Sequence, residues 1–127
     1  LTIIAERSKN GEPLILPLST QTTELLKRQY ELTGGLEYVW GEKYYGDPRK
    51  TLGAFRERLG WNLSFHDLRR SFSVVATRLD INQAKIARLL NHKATGVTHG
   101  YQILSDPELL RDATQRISEA MDSIEEA

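Results

Sequence analysis

Apolar residues recur along this chain with two different periods, and the change between them sets out its elements. At the start, Thr2-Ile3-Ile4-Ala5 and Leu14-Ile15-Leu16-Pro17-Leu18 are short β-rich runs around Ser8-Lys9-Asn10-Gly11. Asn-Gly between two such runs predicts a hairpin, since both residues tolerate positive φ. Pro13 and Pro17 cannot donate to a ladder, so the second strand is expected at an edge, with Lys9 at the tip. From Thr20 the spacing lengthens to three and four. Residues Thr20 to about Thr33 predict an amphipathic helix with Leu25, Leu26 and Tyr30 inward, ended by Gly34-Gly35.

Leu36–Gly46 is irregular and aromatic (Tyr38, Trp40, Tyr44, Tyr45), and its rings are expected to cover the core more than to stack on a ligand. Asp47-Pro48 has the form of an N-cap followed by proline in the first turn. Leu52, Phe55 and Leu59 then keep helical spacing up to Gly60. Ser64 with Asp67 resembles a capping box, and the helix behind it carries the stripe Leu68, Phe72, Val75, Ala76, Leu79. Asn82 caps a shorter helix with Ile86, Leu89 and Leu90 inward. Asn91 suits the left-handed residue that closes it, so His92 is expected on a loop. Asp106-Pro107 opens a last helix in which Leu109, Leu110, Ala113, Ile117, Met121 and Ile124 recur every three or four residues. The expected fold class is α+β, predominantly α, with a small antiparallel β-hairpin near the N-terminus.

Length changes this picture little: 127 residues suit one domain with a real core. No apolar run is long enough for a membrane-spanning helix, and cysteine is absent, which removes disulfides and zinc-finger sites. Net charge is zero, but it is unevenly spread. Residues 1–105 hold 15 Lys and Arg against 10 Asp and Glu; residues 106–127 hold 2 against 7. A basic body with an acidic tail is able to bind phosphate while averaging to neutrality, although a mixed solvated surface has the same composition.

The candidate chemistry lies between Ser64 and Tyr101. This stretch holds all three histidines, an arginine one turn after the first of them, and a closing tyrosine. His66 and Arg69, at i and i+3, project from one side of a helix. His-x-x-Arg alone is a weak signal. His66-x-x-Arg69, then Leu89-Leu90-Asn91-His92, then Tyr101 at this spacing closely resembles the catalytic half of the tyrosine recombinases, the phage integrase family. The hairpin, Tyr38-Val39-Trp40 and the tail helix extend the resemblance over nearly the whole chain.

That resemblance implies a helical catalytic core and site-specific DNA recombination or integration by strand cleavage and rejoining through a 3′-phosphotyrosyl intermediate. Tyr101 would be the nucleophile, Arg69 the second of the family's two arginines, His66 an aid to proton transfer at the tyrosine, and His92 a donor to a phosphate oxygen. Lys9, in Arg7-Ser8-Lys9-Asn10-Gly11, matches the hairpin lysine that protonates the leaving oxygen. The chemistry agrees with these residue types. Arginine offers planar paired donors and keeps its charge, and a tyrosine hydroxyl near pKa 10 needs help to attack.

No cofactor and no metal are implied, and a His66–His92–His99 site lacks any accompanying carboxylate. The implied partner is double-stranded DNA, with self-association on it, and neither a membrane nor a small-molecule substrate. The implied location is cytoplasmic, bacterial or phage-encoded, and nucleoid-associated.

Residues 1–127 are expected to form a single, truncated catalytic domain, with an acidic C-terminal helix and tail over 106–127. The family's first arginine and its DNA-clamping domain are expected upstream of Leu1, so this piece alone is expected to be inactive or very weak. The tail helix is expected outside its own core, docked on a neighbouring protomer, with folding back onto its own domain as the alternative. Two other functions fit parts of the pattern. Arg78 to Leu90 reads as the turn and second helix of a non-catalytic helix-turn-helix DNA-binding module. A type IB topoisomerase-like enzyme would use similar chemistry to relax DNA.

Overall fold

A computed structural model of the protein describes residues 1–8, 11–43, 46–92 and 106–125. Among these residues, two short antiparallel strands, β1 (Thr2–Ile3) and β2 (Leu14–Ile15), precede five α-helices. These are α1 (Thr20–Thr33), α2 (Arg49–Leu59), α3 (Phe65–Arg78), α4 (Gln83–Leu89) and α5 (Glu108–Glu125). The fold is thus mostly helical with a small two-stranded sheet near the N-terminus, as the sequence predicts. The chain divides into two compact units. The first comprises Leu1–Thr20 and Ser71–Ala127, the second Gln21–Arg70.

The sheet of the first unit pairs Thr2 with Ile15 and Ile3 with Leu14. The connection between its strands runs from Ile4 to Pro13. The chain leaves Ile4 into a 3-10 turn at Ala5–Arg7, where the Arg7 and Ser8 N–H groups both donate to the Ile4 carbonyl. That turn takes up residues an ordinary hairpin would pair, so each strand is only two residues long. Gly11 has φ 71°, which fits the glycine's predicted turn role. The tip residue Lys9 lies outside the described residues.

The core of the first unit joins α3, α4 and α5. Val75, Ala76, Ile81, Ile86, Ala113 and Ile117 form one buried cluster, with Phe72, Leu79, Leu89, Leu90, Ala120 and Met121 packed on it. The helical stripes read from the sequence supply most of these residues. Asn82 starts α4 as expected, its Oδ1 accepting the Ala84 N–H at 2.8 Å. The Arg116 guanidinium on α5 donates to the Leu79 carbonyl at 2.9 Å. That places a cation against the carbonyl end of α3, where the helix dipole favours it.

This arrangement corrects one expectation. The C-terminal helix does not stand away from its own unit, since Leu110, Ala113 and Ile117 are almost completely buried in it. Its apolar stripe fits the side chains of α3 and α4, so the alternative considered for this helix is the one observed.

Burial is different in the second unit. None of its described residues is buried. Leu25 and Tyr30, expected to face inward, are 60% and 68% exposed. The half-buried face of α1 includes Leu26, Gln29 and Thr33. The helix is too polar to form an apolar stripe, and Gln29 instead donates to the Val39 carbonyl at 3.0 Å. The Tyr30 hydroxyl lies over Gly35, where a Cβ would come within 2.9 Å of it. Gly35 also has φ 74°, so the turn after α1 requires glycine there on two counts.

Trp40, 57% exposed, does not cover a core either. It lines an apolar cavity of about 680 Å³ with Pro48, Leu52, Phe55, Leu63 and Phe65. Asp47 caps α2 through Oδ1, which accepts the Arg49 N–H at 3.0 Å, and Gly60 ends that helix with φ 68°.

Candidate active site

α3 positions the first two candidate residues, and its start is fixed by the capping box that the sequence predicts. The Asp67 N–H donates to Ser64 Oγ at 3.1 Å, and the Ser64 N–H donates back to Asp67 Oδ2 at 2.9 Å. The Ser64 hydroxyl also donates to Asp67 Oδ2. Two helix-end N–H groups are satisfied reciprocally, so the first turn, which contains His66, has a defined register. A further tie was not legible in the sequence. Arg56 on α2 donates through Nε to the Leu63 carbonyl just ahead of α3. No periodic pattern reports a bond between a side chain and a distant backbone carbonyl.

His66 and Arg69 are both exposed on this part of α3. At i and i+3 their Cβ atoms are ~5–6 Å apart. They belong to the second unit. Asp67 and Arg70 stand beside them. Hydrogen bonds from the Ser64 hydroxyl, and then from its N–H, hold the Asp67 carboxyl below the usual aspartate range, and the charges of Arg70 and His66 add to this.

The sign of the linkage follows from that lowered value. Asp67 contributes stability that is fully present above the ordinary aspartate pKa of about 4 and is lost as pH falls through the lower folded value. Ser64→Ala removes the main cause of the shift. It is expected to lower the stability of α3 at neutral pH and to flatten its decline on acidification, as measured by thermal melts between pH 2 and 7. An acid-side decline as steep as that of the unaltered chain would refute this role for Ser64.

His92 belongs to the first unit and follows a Schellman turn. Asn91 has φ 52°, the Asn91 N–H donates to the Arg88 carbonyl at 3.0 Å, and the His92 N–H donates to the Ala87 carbonyl at 2.9 Å. Those two bonds close α4 and fix the His92 backbone while its side chain is exposed. Asn91 therefore takes the left-handed conformation expected of it.

The same device ends α3, which the sequence reading did not anticipate. Asp80 has φ 55°, and the Asp80 and Ile81 N–H groups donate to the Thr77 and Ala76 carbonyls. Ile81 then packs in the core beside Ala76. The available signal was the apolar residue directly after a short polar one, the pattern of a Schellman turn with its hydrophobic contact.

Lys9, His99 and Tyr101 lie outside the described residues. Among those described, no group of three or more His, Cys, Asp or Glu residues is placed to hold a metal ion. No helix among them is long and apolar enough to cross a membrane.

The family model described as "Phage integrase family" matches residues 1–108, a span that includes Lys9, His66, Arg69, His92 and Tyr101. Neither a curated protein nor a solved structure matches the chain.

Proposed function

Because the chain belongs to the phage integrase family, a family of DNA recombination and integration, we propose that it cleaves and rejoins DNA strands at specific sites through Tyr101. The observation that carries this reading is the family match over residues 1–108, a span in which all five positions fall. The exposed pair His66 and Arg69, held in register by the Ser64–Asp67 box, supports it.

In the proposed reaction the Tyr101 oxygen attacks the scissile phosphorus, and the bond from phosphorus to the 5′ oxygen breaks. The tyrosine proton leaves with the aid of His66. Lys9 gives a proton to the departing 5′ oxygen, so a free 5′-hydroxyl and a 3′-phosphotyrosyl ester result. Attack by another strand's 5′-hydroxyl reverses each step and releases the tyrosine. Arg69 and His92 donate to the non-bridging oxygens, where negative charge grows in the phosphorane. The covalent ester retains the bond energy, so rejoining needs no cofactor.

Arg69 gives the sharpest test. Arg69→Ala is expected to slow strand cleavage by about 10²–10³, the usual loss for one preorganised donor to a developing oxyanion. Arg69→Lys should restore little, because an ammonium lacks the planar paired donors of a guanidinium. The assay is cleavage of a nicked DNA carrying the core site. Undiminished cleavage by Arg69→Ala would overturn the assignment. DNA binding without any cleavage would favour a regulator that uses α3 and α4 as a helix-turn-helix.

A further inference from the structure

We infer that residues 21–70 open and close together while the buried core shared by α3, α4 and α5 stays folded. Among its described residues the first unit buries Ile81, Ile86, Leu110, Ala113 and Ile117, the last three almost completely. In the second unit no described residue is buried, and Tyr30, Leu32, Trp40, Phe55, Trp61 and Leu68 are all substantially exposed.

Burial of apolar surface is the main force opposing chain entropy, and every residue that becomes ordered adds to that entropy cost. A segment this short is marginal even with a packed core. This one has an open apolar cavity lined by Trp40, Leu52 and Phe55 where a core would sit. With no cysteine in the chain, no disulfide offsets the deficit.

Ties among its described residues include single hydrogen bonds, Gln29 to the Val39 carbonyl and Arg56 to the Leu63 carbonyl, and the caps at Asp47 and Ser64. Bonds of this kind contribute little net stability where water competes for them. Regions with few buried apolar contacts and exposed backbone bonds form the low-stability end of a native structure.

The consequence for the reaction rests on the reading proposed above. His66 and Arg69 fall within this unit and His92 does not. Opening of residues 21–70 would therefore release the first turns of α3, which carry His66 and Arg69, while α4 and the His92 turn persist. Folding of the unit then sets whether those two residues are held in register.

Hydrogen exchange of the DNA-free chain, followed by mass spectrometry, tests the opening directly. Amides of α1 and α2 are expected to be at least tenfold less protected than those of Ile86–Leu89 and Leu110–Ile117. Leu52→Ala, in the half-buried part of α2, should lower protection in α1 and α2 further and leave the first unit within twofold.

Both tryptophans of the chain, Trp40 and Trp61, lie in the second unit. A urea titration read by tryptophan emission should therefore finish before one read by helical circular dichroism. Equal protection in the two units, a uniform response to Leu52→Ala, or coincident urea transitions would each overturn the inference. None of these readouts depends on catalysis, so a chain that never cleaves DNA would leave the exchange pattern standing.

Discussion

Replacing Tyr101 by phenylalanine is expected to remove DNA strand cleavage, lowering its rate by on the order of 10⁴ or more, the scale seen when an enzyme loses a member of its nucleophilic machinery. The substitution keeps the ring and removes one oxygen. Nothing else in the proposed chemistry can take its place. Lys9, His66, Arg69 and His92 are assigned to move protons or stabilise charge, and water attack would yield a hydrolysed end that cannot be rejoined. Duplex affinity should stay within about twofold, because phosphate contacts by lysine and arginine supply most of the binding. Cleavage of a core-site duplex and an electrophoretic mobility shift on the same DNA separate the two effects. Cleavage that survives Tyr101→Phe would mean a different nucleophile.

The second large effect concerns the fold. Ile117→Ala should destabilise the protein by about 2–5 kcal/mol, the usual range for truncating a large buried aliphatic side chain. Ile117 is 1% exposed and sits among Val75, Ala76, Ile81 and Ile86, drawn from α3, α4 and the turn between them. Leu109 on the same helix is 41% exposed, and Leu109→Ala should cost less than about 0.5 kcal/mol. Urea unfolding followed by circular dichroism provides both values. Equal, small effects would mean that α5 is not part of this core and would revive the expectation that it docks on a neighbouring protomer.

Much of the first unit was legible because its helices alternate faces clearly. Phe72, Val75, Ala76, Ile86, Ala113 and Ile117 were all readable from spacing, and all lie in or on the core. Caps were legible for a similar local reason. Ser64 with Asp67, Asn82 and Asn91 act on backbone groups within a few residues, so their signal is contained in a short string.

The second unit misled the same reasoning. Leu25 and Tyr30 have helical spacing, yet periodicity reports only which residues share a face, not whether anything covers it. The antiparallel pairing of the hairpin was legible, but not the 3-10 turn at Ala5–Arg7, which leaves each strand two residues long. In the site, the spacing of His66, Arg69, His92 and Tyr101 carried the family resemblance, and the family match over residues 1–108 agrees with it. The Arg56 bond to the Leu63 carbonyl was invisible, since it depends on how α2 and the segment after it meet.

The central claim is that Tyr101 becomes joined to DNA, and one measurement addresses it most directly. The chain is incubated with a nicked duplex whose 5′-hydroxyl fragment diffuses away after cleavage. The trapped adduct is digested and its modified peptide identified by mass spectrometry. The account predicts a single peptide carrying a 3′-phosphonucleotide on the Tyr101 oxygen. A nucleotide attached to any other residue, or DNA bound under these conditions with no covalent product, would contradict it.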